Sequence, residues 1–379
     1  MMPKFPIASL ITLLSLLSGA ADAGTPVPAP PPLPAKGYVL LDAFSGRILV
    51  GQNDTERLEP ASLTKLMSAY AVFQALKDGK LKLDQAVPIS TRAWKAEGSR
   101  TFVDVGSRVR VDLLLQGMIV QSGNDATIAL AEAVGGSEET FAALMNQYSQ
   151  RLGLKGSHWT NSSGLPDPQH YTTARDIAIL GAALVREFPE YYKWYSQRAF
   201  TYNNITQQNR NGLLDRDPTV DGIKTGHTEA AGYCLASSAL RDGMRLVAVV
   251  MGTASPKARE DASAALLGYG FNFFETKRLY AAGQRLGTTA VYKVGEPVPV
   301  VIRSDVYATA ARGELANAKA QLVLDARLVA PLAATTPIGR LRLTLGDSVL
   351  ADVPAYPAEA VEPGNIFRRM IDTVRLWFS

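Results

Sequence analysis

Tyr233-Cys234-Leu235-Ala236-Ser237-Ser238-Ala239-Leu240, then Arg241-Asp242-Gly243, then Met244-Arg245-Leu246-Val247-Ala248-Val249-Val250-Met251, is the stretch where the texture of the chain changes. Two short apolar runs on either side of a Gly-containing turn predict two core strands in an antiparallel pair. Upstream the period is helical. From Ala61 to Leu76, Leu63, Leu66, Met67, Tyr70 and Phe73 recur at i, i+3, i+4, i+7 and i+10, just behind Pro60. Further helices are predicted near Val111–Val120, Ala126–Val134, Thr140–Leu152 and Thr173–Arg186. Closer to the N-terminus, Tyr38 to Val50 holds two apolar runs around Ala43-Phe44-Ser45-Gly46, the pattern of a hairpin. A hairpin, a block of helices and then more strands imply an α+β fold: an antiparallel sheet with helices packed against it.

Beyond about Lys277, Val298–Ile302, Ala320–Leu324 and Leu341–Leu345 are short strand-like runs separated by Gly, Pro and Asp, which predict a small all-β, sandwich-like domain over 277–360. In the last segment, 361–379, Ile366, Phe367, Met370, Ile371, Val374, Trp377 and Phe378 fall on one helical face, with Arg368, Arg369, Asp372 and Arg375 away from it. An amphipathic helix of this kind lies in a membrane interface rather than across it, or docks on the domain before it.

At the other end, Ile7–Ser18 is mostly apolar, follows Lys4 and precedes Ala21-Asp22-Ala23. It predicts a signal peptide over 1–23, hence an exported protein that begins near Gly24. Residues 24–36 hold six prolines in thirteen positions and predict an extended spacer with no core of its own. The main α+β domain is thereby expected over 37–276.

With 379 residues, 47% of them hydrophobic and 20% charged, the chain is neither disordered nor collagen-like. A net charge of +4 is too small a surplus to point to nucleic acid. Cys234 is the single cysteine, which excludes an intramolecular disulfide, and three histidines with one cysteine argue against a structural zinc site. No metal or cofactor is expected.

Three short motifs carry chemistry. Ser62-Leu63-Thr64-Lys65 opens the first long helix, and residues three apart share a helix face, so a serine hydroxyl can meet an amine. That amine can accept the serine proton only if burial or neighbouring cations lower its pKa. Ser122-Gly123-Asn124 lies between two helical patterns, on a short loop that can aim a hydroxyl and an amide into a cleft. Lys224-Thr225-Gly226-His227 is expected at the start of a sheet strand. There lysine and threonine can hold a carboxylate, and Gly226 lets a substrate approach the backbone. Each motif alone is more often an ordinary cap or turn.

Together, in this order, they are the set shared by penicillin-binding proteins and class A β-lactamases. The chain resembles the low-molecular-mass penicillin-binding proteins of the serine-type D-alanyl-D-alanine carboxypeptidase family. The resemblance runs through Pro60–Lys65, Gln121–Ala126, Asn209-Arg210-Asn211-Gly212-Leu213-Leu214 and Asp221–Thr228. It implies a β-lactamase/transpeptidase-like domain followed by the all-β domain and terminal helix. It further implies that Ser62 attacks the penultimate D-alanine carbonyl of a peptidoglycan stem peptide and that Lys65 takes its proton. By the same resemblance Ser122 relays a proton to the leaving D-alanine, and Asn124 orients Lys65 and the substrate. The backbone amides of Ser62 and His227 would form the oxyanion hole, while Lys224, Thr225, Gly226, His227 and Arg210, with Arg259 as a further cation, would bind substrate. β-Lactams would be covalent inhibitors, and the protein would sit at the periplasmic face of the inner membrane, held by the terminal helix. His158 and His170 carry no motif and are read as structural or surface residues.

The same motifs leave other activities open. A class A β-lactamase deacylates with a glutamate acting through water; Gly156–Asp176, where that loop falls, contains no glutamate, and Gly123 stands where those enzymes usually carry aspartate. An endopeptidase cutting cross-links, or a catalytically idle peptidoglycan-binding module, also remains.

Overall fold

The computed structural model describes residues 27–365. The expected signal peptide, and the apolar stripe that begins at Ile366, lie outside the described residues.

Five antiparallel strands form the central sheet in the order Ile48–Gln52, Gly37–Asp42, Met244–Thr253, Gly232–Arg241, Val220–Thr228. The hairpin and the pair joined at Arg241-Asp242-Gly243 stand where their patterns put them. Met244–Met251 is buried at every position, because both faces of this strand are covered. On one face packs the helical block: Thr64–Lys77, Val111–Gln116, Asn124–Gly135, Glu138–Leu152 and Ala174–Glu187. On the other face lies Pro256–Phe273, a helix that the periodicity did not reveal.

That helix buries Ala262, Ser263 and Gly270 along with Leu266 and Leu267, so small residues replace the wide apolar stripe by which a sheet-packed helix is usually recognised. Its N-terminal signal was nevertheless present. Ser255 caps it, accepting the Ala258 N–H at 3.1 Å, and Pro256 occupies the first helical position.

The Pro-rich segment is not a free spacer in its described part. Val27, Leu33 and Ala35 pack on the same core as this helix, and Tyr269 donates its hydroxyl to the Pro28 carbonyl at 2.8 Å. Prolines fix φ and cost little entropy on docking, so such a segment can line an existing core without building one.

A second, all-β unit follows. Phe274–Tyr280 pairs with Val306–Ala311, and a five-stranded sheet runs Arg285–Thr289, Val298–Val301, Ser348–Pro357, Gly339–Leu345, Lys319–Leu324. Val306, Ala308 and Ala310 of the pair meet Leu341 and Leu343 of the sheet, which makes the unit sandwich-like. The expected boundary at 276/277 falls inside the strand Phe274–Tyr280. Val361, expected in the terminal helix, instead exchanges backbone hydrogen bonds with Leu332 at 2.8 and 3.0 Å, and the Gly364 N–H donates to the Lys293 carbonyl. These backbone groups are satisfied by the β-domain, which excludes helix at 361–364.

The two units are joined by buried polar contacts. The Asp42 carboxylate accepts from Thr276 Oγ1 at 2.7 Å, and Ser45 Oγ lies 2.6 Å from Thr309 Oγ1. Among the described residues no helix is long and apolar enough to cross a membrane.

Candidate active site

Residues Ala61–Leu63 form a 3-10 turn that runs directly into the helix Thr64–Lys77. Ser62 and Lys65 therefore sit one turn apart on one face, and Lys65 Nζ lies 3.0 Å from Ser62 Oγ. Ala61 has φ +47°, a left-handed conformation that a non-glycine residue adopts only when its surroundings enforce it. Enforcement comes from Thr64, whose hydroxyl donates to the Ala61 carbonyl at 2.8 Å and contacts His170 Nε2 at 2.8 Å. The Thr160 N–H donates to His170 Nδ1, so the neutral ring carries its proton on Nε2 and gives it to Thr64. Burial pushes His170 down to about 4, which keeps the ring neutral. His170 is a buried structural residue, and the turn that carries Ser62 rests on it.

The Lys65 amine is buried and donates a second hydrogen bond to the Ser163 carbonyl at 2.7 Å, 98 residues away in sequence. Burial first, then the Arg210 guanidinium, push it down from 10.5 to about 7, against the opposing pull of Asp125 and Glu138. Within reach of the serine hydroxyl there is thus an amine that is substantially neutral near pH 7.

Ser122 stands at the end of a π-helical turn, Gly117–Gln121, in the left-handed region at φ 67°. The turn and the αL residue stop the helix, and Ser122 lines the cleft with its Oγ buried and unpartnered within the protein. Asn124, expected on a loop, is the first residue of the next helix. Its Nδ2 donates to the Glu97 carbonyl at 2.6 Å, while its buried Oδ1 has no protein partner.

Lys224-Thr225-Gly226-His227 lies in the middle of the edge strand Val220–Thr228 rather than at its start. The expectation of an available edge survives, since this strand pairs only with Gly232–Arg241 in the sheet. Its outer side faces the Ser62 turn. A Cβ at Gly226 would come within 3.0 Å of the Pro60 carbonyl oxygen and 3.4 Å of Ala61 Cβ, so a side chain there would have to push the Ser62 turn back by a few tenths of an ångström. Lys224 is buried and pushed well below the usual lysine range by burial, then by Lys65, Arg210 and Arg259.

The cleft between these elements has a volume of about 600 Å³ and is lined by Ser62, Ser122, Arg210, Thr225, Gly226, His227 and Arg259, with Gly98, Ser99, Tyr233 and Pro256. Lys65, Asn124 and Lys224 lie beneath that lining. Arg210 Nη1 donates to Ser99 Oγ at 2.8 Å. Arg259, expected as a further cation toward the substrate, lines the cleft. It is only 5% exposed, it comes from the unpredicted helix, and it donates to the carbonyls of Gly226 and Arg210 at 3.4 and 3.3 Å. Its guanidinium also stands 5.6 Å from the Tyr233 ring centre, and that ring stacks on His227 at 4.0 Å.

Ser99, Tyr233, Asn161, Ser163 and Glu138 were not found from sequence. Asn161-Ser162-Ser163-Gly164 carries a turn signature, but the group that meets Lys65 is a backbone carbonyl, which no residue type announces.

Known proteins resemble the chain along almost its whole length. Residues 25–255 match the family described as D-alanyl-D-alanine carboxypeptidase, and residues 274–363 match the penicillin-binding protein 5 C-terminal domain. The D-alanyl-D-alanine carboxypeptidase DacA of Escherichia coli K12 is 39% identical over 363 residues, covering 93% of this chain and 90% of that protein. DacA of Haemophilus influenzae is 41% identical over 388 residues, with 99% and 98% covered. The crystal structure of penicillin-binding protein 5 from Haemophilus influenzae superposes with a TM-score of 0.82 at 42% identity, covering 88% of this chain and 99% of that one. With a cleft serine paired to a buried lysine, an edge strand bearing Lys-Thr-Gly and full-length relatives of one kind, the chain belongs to the D-alanyl-D-alanine carboxypeptidase family.

Proposed function

We propose that the protein removes the terminal D-alanine of peptidoglycan pentapeptides through an acyl-enzyme on Ser62. The observation that carries this reading is the 3.0 Å contact between Ser62 Oγ and a buried Lys65 amine whose proton affinity has fallen to about pH 7. Neutral Lys65 takes the hydroxyl proton as Oγ attacks the penultimate D-alanine carbonyl. The N–H groups of Ser62 and His227, on facing walls of the cleft, stabilise the oxygen that becomes charged only in the tetrahedral species. Ser122 passes a proton to the departing D-alanine nitrogen, and Asn124 holds the substrate amide and the lysine in register. Water then hydrolyses the ester.

The terminal carboxylate docks against Arg210, Arg259, Thr225 and Lys224. Burial and then the neighbouring cations depress Lys224, and an incoming anion offsets the second of these, so substrate binding and lysine protonation reinforce one another. β-Lactams acylate the same serine as substrate mimics. Export after cleavage near residue 23, and attachment to the periplasmic face of the inner membrane through the C-terminal segment, complete the reading; their support is the sequence pattern at the two ends.

Intact-mass spectrometry after benzylpenicillin, on wild type and Ser62→Ala, together with D-alanine release from a pentapeptide ending in D-Ala-D-Ala, tests this function. Adduct and release on wild type alone are expected. Adduct without release would replace carboxypeptidase by endopeptidase or binding module, and no adduct would overturn the site.

A further inference from the structure

The mechanism leaves two buried carboxylates near the site, Asp125 and Glu138, without a role, and only Glu138 reaches the loop that meets Lys65. Glu138, only 5% exposed at the start of the helix Glu138–Leu152, accepts the Ser162 N–H at 3.0 Å and the Ser162 hydroxyl at 2.6 Å. The next residue, Ser163, supplies the carbonyl that receives the Lys65 amine at 2.7 Å. On its other side Glu138 takes Arg92 Nη2 at 2.7 Å, and that arginine is half exposed. Resting on the Ser62–Lys65 chemistry proposed above, we propose that Glu138 is a positioning residue. Through Ser162 it holds the Ser163 carbonyl against Lys65, and with its partner Arg92 it forms the charged pair behind that loop.

Position comes first. A carbonyl in a loop has no stiffness of its own, and the Asn161–Leu165 turn is held from two sides. Asn161 Oδ1 accepts the N–H groups of Ser163, Gly164 and Leu165 at 3.2, 2.7 and 3.2 Å, which closes the turn on itself. The hydrogen bonds to Glu138 anchor the turn to the helical block that also carries Ser68 and Lys65. Ser68 Oγ also donates to the Ser162 carbonyl at 2.5 Å, so without Glu138 the turn would keep that one outside hold and the Ser163 carbonyl would be placed less firmly at the amine.

Charge follows from the groups that face the pair. Lys65 is met by Arg210 and Lys224, which disfavour its proton, and by Asp125 and Glu138, which favour it. Asp125 is already engaged with three backbone N–H groups of the 101–103 segment and with the side of Arg100. Glu138 faces Arg92, which also pairs with the exposed Glu139. Removing the Glu138 charge lowers the Lys65 proton affinity, and removing the Arg92 charge raises it. Opposite signs from two touching residues are not what a purely structural defect produces.

The test measures the rate constant of acylation by benzylpenicillin between pH 5 and pH 9 for wild type, Glu138→Gln, Glu138→Ala and Arg92→Gln, with Ser62→Ala as control. Glutamine still accepts from Ser162, so Glu138→Gln is expected to keep the plateau rate within about threefold while its acid limb moves down by about half a pH unit. Alanine leaves the turn with the Ser68 bond as its outside hold, and the plateau is expected to fall about 10-fold, with glutamine rescuing it. Arg92→Gln is expected to move the limb up. Superposed profiles for all four unmutated-serine proteins, or limbs that move the same way in Glu138→Gln and Arg92→Gln, would overturn the inference. Should the Glu138 variants not fold, an unmoved limb in Arg92→Gln overturns it and an upward one upholds it. Acylation of Ser62→Ala, or a wild type with no acid limb, would instead overturn the proposed chemistry on which this rests.

Discussion

The fully buried carboxylate of Asp125 accepts the backbone N–H of Thr101 at 2.7 Å, and through its other oxygen it holds the N–H groups of Phe102 at 2.8 Å and Val103 at 3.2 Å. One side chain thus clamps the segment that forms a wall of the cleft, through Gly98 and Ser99, to the start of the helix that carries Asn124. Asp125→Asn would turn an NH₂ group toward N–H donors and leave at least one unsatisfied. We expect a loss of about 2–4 kcal/mol, a fall of roughly 5–10 °C in Tm and slower acylation, read by thermal unfolding and by the benzylpenicillin rate.

Lys65 predicts a pH profile. Only the neutral amine accepts the serine proton, so acylation should rise with pH through about 7 and level off above it. Lys65→Arg keeps a cation that cannot deprotonate, and it should lose at least about 100-fold in rate together with the rising limb. The unfolded lysine keeps its proton up to about 10.5, so this group's contribution to stability grows as pH rises from about 7 toward 10.5. Stopped-flow acylation and pH-dependent denaturation check the two signs; a flat acylation profile would reject the base assignment.

Gly123 separates Ser122 from Asn124 in a space with no room for a side chain. A Cβ there would overlap the Thr101 hydroxyl and come within 2.8 Å of the Thr101 nitrogen. Gly123→Ala should therefore displace the Ser122 loop or the 101–103 segment. The expected result is about 1–3 kcal/mol of destabilisation and at least about 10-fold slower acylation, measured on protein that still unfolds cooperatively.

A penicilloyl adduct should be released slowly. No glutamate lies between Gly156 and Asp176, the loop is presented to Lys65 by a backbone carbonyl, and the neighbouring Glu138 is already occupied by Ser162 and Arg92. The two aspartates of that stretch are engaged as well, Asp176 by the Gly156 N–H and the Ser157 hydroxyl and Asp167 by the Gln169 N–H, so neither stands in for the glutamate that activates water in class A β-lactamases. Purified protein should give a single burst with nitrocefin followed by a slow steady state, and rapid continuous turnover would count for a β-lactamase.

Truncation after Glu362 removes the residues that bear the seven-residue apolar stripe while leaving the Val361–Leu332 bridge in place. Vesicle sedimentation should show the full mature chain bound and the truncated form free at equal carboxypeptidase activity. Sedimentation of the truncated form with vesicles would place the contact elsewhere.

Local chemistry was legible in the sequence because it needs only local geometry. Serine and lysine three residues apart meet on any helix, and the strands around Arg241-Asp242-Gly243 are specified by a turn and two apolar runs. The three motifs together likewise named the type of site. What tertiary structure decided is how these pieces act on one another. It buries Lys65 and brings the Ser163 carbonyl and Arg210 to it, setting a proton affinity that depends on desolvation and on charges far away in the chain. It also places Arg259 in the cleft, on a helix whose small buried residues disguised its period. Composition and spacing report on contacts within a few residues, whereas burial and long-range charge exist only once distant segments have packed together.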